Sequence, residues 1–478
     1  MPQMSRTFRN FLNLGVAQLI TAAAGMITAI ILGRTLEPDM YGILGFATAF
    51  LSFFGLFVNM GTDVYGMREA ARDPEIGGKL TCQIFSMRLC LAGTAIILAM
   101  FIGWIAEFSA VKLTIVGIQA AGLISVALVA DFYFQGVERM ELIAARQIGA
   151  ALTSASAVAL LIRTPDDLYI AATIPVVTNT LSAGALLYLF RKESALSIFT
   201  LDIRKSVEII KKSMPFAVTA FMSAIYFNLD LVMLGFMRTD AEIGHYSAAV
   251  RVMLAALILG NLFRTSYLPP LSRTVDDNEK ARYVFRRYCR AIFFVALPVV
   301  FFGYLFAADI LHLLFGHSYL GGISALQILM VAVCANYIVM AFGAPLVVWN
   351  RERTFTKAVT IGAGINLVLN FILIPRYGIE GAAVATLAAQ LSVGGICCLA
   401  HRKFIRNTPA GELVKFGMSS TLAVGICWLG FQFSALSSLS IGFNRLIYAV
   451  PVYSLTYLLC VSILSRGAIK EIIRTVEN

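Results

Sequence analysis

Residues 11–33 read FLNLGVAQLITAAAGMITAIILG, twenty-three consecutive positions without a charged side chain. A helix rises about 1.5 Å per residue, so this run covers about 34 Å and crosses the roughly 30 Å hydrocarbon core of a bilayer. Arg6 and Arg9 precede it, and no convincing cleavage site follows. It is therefore expected to be a retained first span, being too long for a signal-peptide core. Thirteen more apolar runs follow, near 41–61, 82–103, 112–131, 142–162, 168–190, 213–237, 243–268, 289–309, 321–348, 355–374, 379–400, 413–433 and 441–464. The expected fold class is all-α, a polytopic membrane protein of about 14 transmembrane helices.

Composition agrees with that reading. Hydrophobic residues make up 59% of the 478, and the 37 glycines raise the apolar share to about 67%, against about 45 to 50% in soluble domains. Only 14% of residues are charged, too few to coat water-soluble domains of this length. The net charge of +11 would suggest nucleic acid in a soluble protein, and its placement argues otherwise. With the N-terminus inside, 28 of the 38 Lys and Arg fall on cytoplasmic segments or span ends, and six fall outside: Arg34, Lys112, Arg163, Arg238, Arg376 and Arg445. This positive-inside bias puts both termini in the cytoplasm and requires an even number of helices. The excess charge is an orientation signal, and no nucleic-acid partner is expected.

External loops are short, so chemistry must lie between helices. Prolines such as Pro175, Pro215, Pro298, Pro345 and Pro451 fall inside spans, where they are expected as kinks or hinges. The eight cysteines lie in or beside apolar runs with no C-x-x-C pair, and are expected to be buried thiols. His245, His312, His317 and His401 are scattered, with no metal-ligand spacing. No phosphate loop of the form G-x-x-x-x-G-K-[ST] occurs, so ATP is not the expected direct energy source.

The chain echoes itself. At an offset of 202, LGRTLEPDMYGILGFATAF from Leu32 faces LGFMRTDAEIGHYSAAVRV from Leu234, aligning Gly33 with Gly235, Gly42 with Gly244 and Ala47 with Ala249. Near 211, LYIAATIPVVTNTLSAGALLYLFRK (168–192) faces IEGAAVATLAAQLSVGGICCLAHRK (379–403), both ending in Arg-Lys. A six-plus-six duplication with parallel lobes is the reading. It divides the chain into an N-lobe (1–190), a basic cytoplasmic linker (191–212), a C-lobe (213–403) and an appended pair of spans (404–478). The linker is suited to lie on an anionic membrane surface.

The segments GRTLEPDMYGILGFATAFLSFFGLFVNMGTDVYGMREAAR (33–72), DFYFQGVERM (131–140), KKSMPFAVTAFMSAIYFNLDLVMLGFMRTDAEIGHYSAAVRV (211–252) and NLVLNFILIPRYGIEGAAVAT (366–386) resemble polysaccharide flippases. These are the O-antigen and exopolysaccharide translocases of the superfamily that includes MATE extruders and lipid II flippases. The resemblance implies two six-helix lobes in a V plus two C-terminal helices, in the inner membrane. It implies a non-enzymatic translocase that flips an undecaprenyl-pyrophosphate-linked oligosaccharide to the outer leaflet by alternating access. Its partners would be that lipid-linked glycan, membrane lipids, and a glycan polymerase or chain-length regulator. The segment GTDVYGMREAARD (61–73) looks like the family's internal gate, with Asp63, Arg68 and Glu69 as candidate gate residues; the alternative is a solvated turn.

Five charges fall within spans: Arg88, Arg146, Asp230, Arg251 and Arg264. Each costs about 2.5 to 3.5 kcal/mol at midspan by insertion scales, so each is expected to face a polar cavity or a partner. Arg88 and Arg146 lie near a cytoplasmic end, where snorkelling is the alternative. Arg251 and Arg264 sit thirteen residues apart on one span, about 20 Å along its axis and about 140° around it. Guanidinium groups suit a crossing pyrophosphate, so the four arginines are candidate substrate-binding residues. A MATE-type extruder of organic cations, the rival reading, would favour acids or aromatic boxes. A membrane-embedded polymerase or ligase is a third, lacking a sizeable external loop for catalytic residues.

Asp230 is read either as a salt-bridge partner of Arg251 or as part of a cation site for coupling to H⁺ or Na⁺. Asn366 and Asn370 share one helix face at i and i+4, as do Ala382 and Thr386, each pair presenting oxygen ligands. The alternative for the asparagines is interhelical glue. The spacing resembles the sodium site of lipid II flippases, except that Asn370 stands where that pattern prefers an acid. No other cofactor is expected.

Overall fold

The computed structural model describes residues 6–194, 200, 202–274, 278–401, 410–433 and 443–464, and those residues are helical almost throughout. The helices are α1 (Arg6–Asn59), α2 (Thr62–Arg72), α3 (Pro74–Ile105), α4 (Ala110–Ala120), α5 (Gly122–Leu128), α6 (Asp131–Gly136), α7 (Met140–Leu161) and α8 (Leu168–Ser194). They continue with α9 (Ile203–Met237), α10 (Asp240–Ser272), α11 (Asn278–Leu305), α12 (Ala307–Phe315), α13 (Ile323–Val348), α14 (Glu352–Ala400), α15 (Ala410–Phe433) and α16 (Phe443–Leu464).

Among the described residues, ten stretches are long and apolar enough to cross a membrane. Two of them are too long for a single crossing. Helix α1 has 54 residues, about 81 Å, and breaks at Glu37 (φ 62°, ψ 168°) just before Pro38. Helix α14 has 49 residues, about 74 Å, and breaks at Gly378 (φ 56°, ψ −130°). Each is therefore two spans joined at one non-helical residue, where a short loop was expected. With α9 (35 residues) and α15 (24 residues), which are long enough by length alone, the described residues hold fourteen helical stretches of spanning length. The span expected at 112–131 is segmented into α4 and α5, with extended backbone at Val129 before α6 begins at Asp131.

The chain divides into two compact units, Met1–Gly244 and His245–Asn478. In the first, α1 packs on α3, α4, α7 and α9, while α2 is wedged against α3 and α6. A buried aromatic cluster around Phe85, Phe132, Phe134 and Phe190 fills that end. Of the segment 191–212, residues 203–212 form the start of α9, and Gln83 Nε2 on α3 holds it by donating to the Asp202 carbonyl (2.7 Å) and Ser206 Oγ (2.8 Å). In the second unit α13 packs on α11 and α14, and α15 packs on α11 and α16. The appended pair is thus packed against the second unit's α11. Seven cysteines are described, all free thiols: Cys82, Cys289 and Cys397 are buried as expected, whereas Cys334, Cys398 and Cys460 are half-buried and Cys90 is exposed on α3.

The breaks in the first unit make one contact that the repeat explains. A side chain on Gly42 would collide with the Asp240 carbonyl, and one on Gly244 would collide with the Pro38 carbonyl. Residues 42 and 244, and 38 and 240, are equivalent at the offset of 202. The two turns therefore touch reciprocally, backbone against backbone.

Candidate functional site

At the break between α1 and α2, Met60 and Gly61 both adopt positive φ (47° and 72°). This turns the chain and places Thr62 and Asp63 at the start of α2. There Arg88 of α3 donates from Nε and Nη2 to Thr62 Oγ1 (2.8 and 2.6 Å), and from Nη2 to Asp63 Oδ1 (2.7 Å). Its guanidinium lies 5.1 Å from the Phe132 ring, and its side chain is 1% exposed. Arg88 is thus a buried, neutralised charge that ties α2 to α3, and it does not snorkel. Asp63 also accepts from Asn59 Nδ2. Arg68 lies over the Phe216 ring, and Glu69 pairs with Arg72 (3.1 Å). Among the described residues the three gate candidates have separate partners and do not bond one another.

Arg146 of α7 forks onto Asp131 of α6, Nε to Oδ1 at 2.7 Å and Nη2 to Oδ2 at 2.5 Å. This bidentate geometry neutralises a second arginine. Arg146 nevertheless lines two cavities between α7 and α8, of about 420 and 350 Å³.

Arg251 and Arg264 differ. Both are exposed on α10, and among the described residues of their unit neither has an ion-pair partner. Asp230, in the first unit, is buried at 6% exposure. In the second unit Asn366 and Asn370 are buried and bonded to each other, Asn370 Nδ2 donating to Asn366 Oδ1 at 3.1 Å. Thr386 Oγ1 donates to the Ala382 carbonyl at 3.1 Å. As donors for a hard cation these four offer neutral oxygens only, and each pair is already joined internally.

One charge was misplaced in the sequence reading. Lys112 was expected in an external loop; instead it is a buried residue of α4, 6% exposed, behind the N-cap Ser109. Its Nζ donates to the Gly235 carbonyl (3.0 Å) and Asp240 Oδ1 (2.9 Å), and lies 4.3 Å from the Phe46 ring and 5.4 Å from that of Phe108. The available signal was that the lysine stands three residues inside an apolar run after a capping serine. Arg290 of α11, one of the 28 basic residues on cytoplasmic segments or span ends, is also buried. In the second unit an apolar cavity of about 480 Å³ lies among α10, α11, α13 and α16, lined by Phe294, Pro298, Phe302, Met330, Tyr453 and Tyr457 among others.

The sequence pattern of the family described as "Polysaccharide biosynthesis protein" matches residues 7–275, more than half of the chain. The chain belongs to the polysaccharide biosynthesis protein family. The chain is 23% identical over 370 residues to a protein of Shigella dysenteriae named as an O-antigen transporter, with 75% of this chain and 91% of that one covered. Among solved structures it resembles the lipid II flippase MurJ in an inward closed conformation, with a TM-score of 0.75 at 15% identity, covering 95% of this chain and 99% of that one. An inward-facing multidrug resistance MATE transporter also matches, with a TM-score of 0.62 at 13% identity over 83% of this chain and 98% of that one. At these identities the structures establish a shared fold for this family member.

Proposed function

We propose that the protein is a membrane translocase that moves a lipid-linked oligosaccharide, carried on undecaprenyl pyrophosphate, from the cytoplasmic to the outer leaflet by alternating access. The observation that carries the reading is the contrast among the arginines. Arg88 and Arg146 are cancelled by Asp63 and Asp131, whereas Arg251 and Arg264 stand exposed on a spanning helix without an acid beside them in their unit. An exposed guanidinium at membrane depth is costly against lipid and favourable against a crossing anion in a wet lumen. The relatives named as an O-antigen transporter and a lipid II flippase support a pyrophosphate-linked glycan as that anion. The lysine and arginine bias supports an inner-membrane protein with both termini cytoplasmic. A glycan polymerase or chain-length regulator in the same membrane is the class of partner that would take the product.

Coupling is proposed to H⁺ or Na⁺ through Asp230, a buried carboxylate on a spanning helix. The same carboxylate and the MATE-like fold favour a second reading, extrusion of organic cations.

The test is a strain deleted for this gene and complemented with Arg251→Ala, Arg264→Ala or both. Loss of surface glycan at normal protein levels is expected, greatest in the double variant. Unchanged export in the double variant overturns the cationic-lumen reading. Reconstituted protein that moves cationic dyes and no lipid-linked sugar establishes the extruder instead.

A further inference from the structure

The cavity of about 350 Å³ in the first unit, between α1, α7 and α8, is lined by six polar side chains, Thr21, Arg146, Gln147, Ser154, Thr178 and Asn179, with Ala150 and Ala151 between them. Its size is at the small end of ligand pockets. Gln147 and Ser154 are seven residues apart on α7, so they share a face about 10 Å long. Among the described residues neither side chain makes a hydrogen bond. Asn179 spends only its Nδ2, on the Pro175 carbonyl at 2.8 Å. Thr21 and Thr178 donate to the backbone of their own helices, which leaves their oxygens as acceptors.

These groups are not glue between helices, because glue would bond across the gap that they leave open. They are not a phosphate site either. The only charge in the lining is Arg146, whose Nε and Nη2 are already forked onto Asp131. That fork leaves Nη1 as a planar donor held in position with its charge balanced. The lining is therefore polar, neutral and mixed in donors and acceptors. The adjoining 420 Å³ cavity shares Arg146, Ala150 and Thr178 but is otherwise walled mainly by Leu142, Leu181, Leu186 and Leu189, so polarity is confined to one side. A group with many neutral hydroxyls or acetamides needs this set at membrane depth, where each lost bond to water must be replaced.

We propose that this cavity is a sugar-recognising subsite, which takes uncharged hydroxyl-bearing rings of the glycan while the headgroup phosphates are held elsewhere. The proposal rests on the translocase reading above. It assigns Gln147, Ser154 and Asn179 as specificity-determining residues and Asp131 as the residue that positions Arg146.

The experiment reconstitutes the full chain and its Gln147→Leu/Ser154→Ala/Asn179→Leu variant in liposomes. Flipping of two probes is followed: polyprenyl pyrophosphate carrying the host's oligosaccharide unit, and polyprenyl pyrophosphate without sugar. The expected result is a loss of about ten- to hundredfold for the sugar-bearing lipid, the scale of two or three lost hydrogen bonds, with the sugar-free lipid moved at the wild-type rate. The second probe also reports that the variant is folded. Equal slowing of both lipids, or no slowing of either, overturns the subsite and leaves the translocase reading standing. Wild-type protein that moves neither lipid overturns the translocase reading, and the subsite with it.

Discussion

Replacing Lys112 by methionine keeps the length of the stem and removes the ammonium. Two acceptors then lose their partner, the Gly235 carbonyl at 3.0 Å and Asp240 Oδ1 at 2.9 Å, and the Phe46 and Phe108 rings lose a cation. Breaking a fully buried pair from one side costs about 3 to 5 kcal/mol. Here the Asp240 side chain is 27% exposed and recovers water, so about 2 kcal/mol is the better figure for the ionic part, with about 0.5 to 1 kcal/mol from the rings. The total, about 2 to 3 kcal/mol, corresponds to a fall in Tm of about 5 to 10 °C for a cooperative unit of this size. Thermal unfolding of the detergent-purified full chain measures it, in a cycle of Lys112→Met, Asp240→Asn and the double variant. Asp240→Asn alone is expected to be the more damaging single change, because it leaves a buried ammonium with the Gly235 carbonyl and the rings but no counter-charge. The double variant is expected to be more stable than the sum of the singles by at least about 1 kcal/mol. A Lys112→Met protein with an unchanged Tm, or strict additivity in the cycle, would refute a stabilising role for the Lys112–Asp240 pair.

Gly244→Ala puts a methyl into the Pro38 carbonyl and is expected to lose about 1 to 3 kcal/mol, whereas Gly93→Ala, with open space around it, is expected to be neutral or stabilising; paired melting curves decide. Arg88→Lys is expected to destabilise the first unit nearly as much as Arg88→Met, since one ammonium cannot span Thr62 and Asp63 as the guanidinium does; equal stability of the lysine variant and wild type would count against this. His401, just past the end of α14, stacks on Phe285 at 5.6 Å, and burial holds its pKa below the ordinary value although the Cys397 carbonyl it donates to pulls the other way. The unfolded chain then binds the proton more readily, so this contribution to stability is present above about pH 6.5 and is lost as pH falls toward the depressed value. His401→Phe is expected to flatten the dependence of Tm on pH between about 7.5 and 5 relative to wild type, and an unchanged slope would exclude the histidine as its source.

The spans were legible because hydrocarbon demands long uncharged runs, and FLNLGVAQLITAAAGMITAIILG meets that demand without reference to any neighbour. The same reading drew a loop around Glu37 where one strained residue suffices, since the length of an apolar run does not report how tightly two spans are joined. Arg88 and Arg146 were recognisable as costly, but their partners were not. Asp63 lies 25 positions from Arg88 and Asp131 lies 15 from Arg146, distances that only packing closes. Lys112 was placed outside because loop counting assigns a charge at a span's end to water, although a four-carbon stem can carry it inward to a carboxylate 128 positions away.

The reciprocal touch of the two glycine turns falls where the sequence echoes itself at an offset of 202. When residue 42 meets 240 and residue 244 meets 38, the geometry is that of a two-fold homodimer interface held within a single chain. A shift in one turn removes a fit made by the other, so the two turns constrain each other. A change at Gly42 or at Gly244 is therefore felt on both sides of one shared seam.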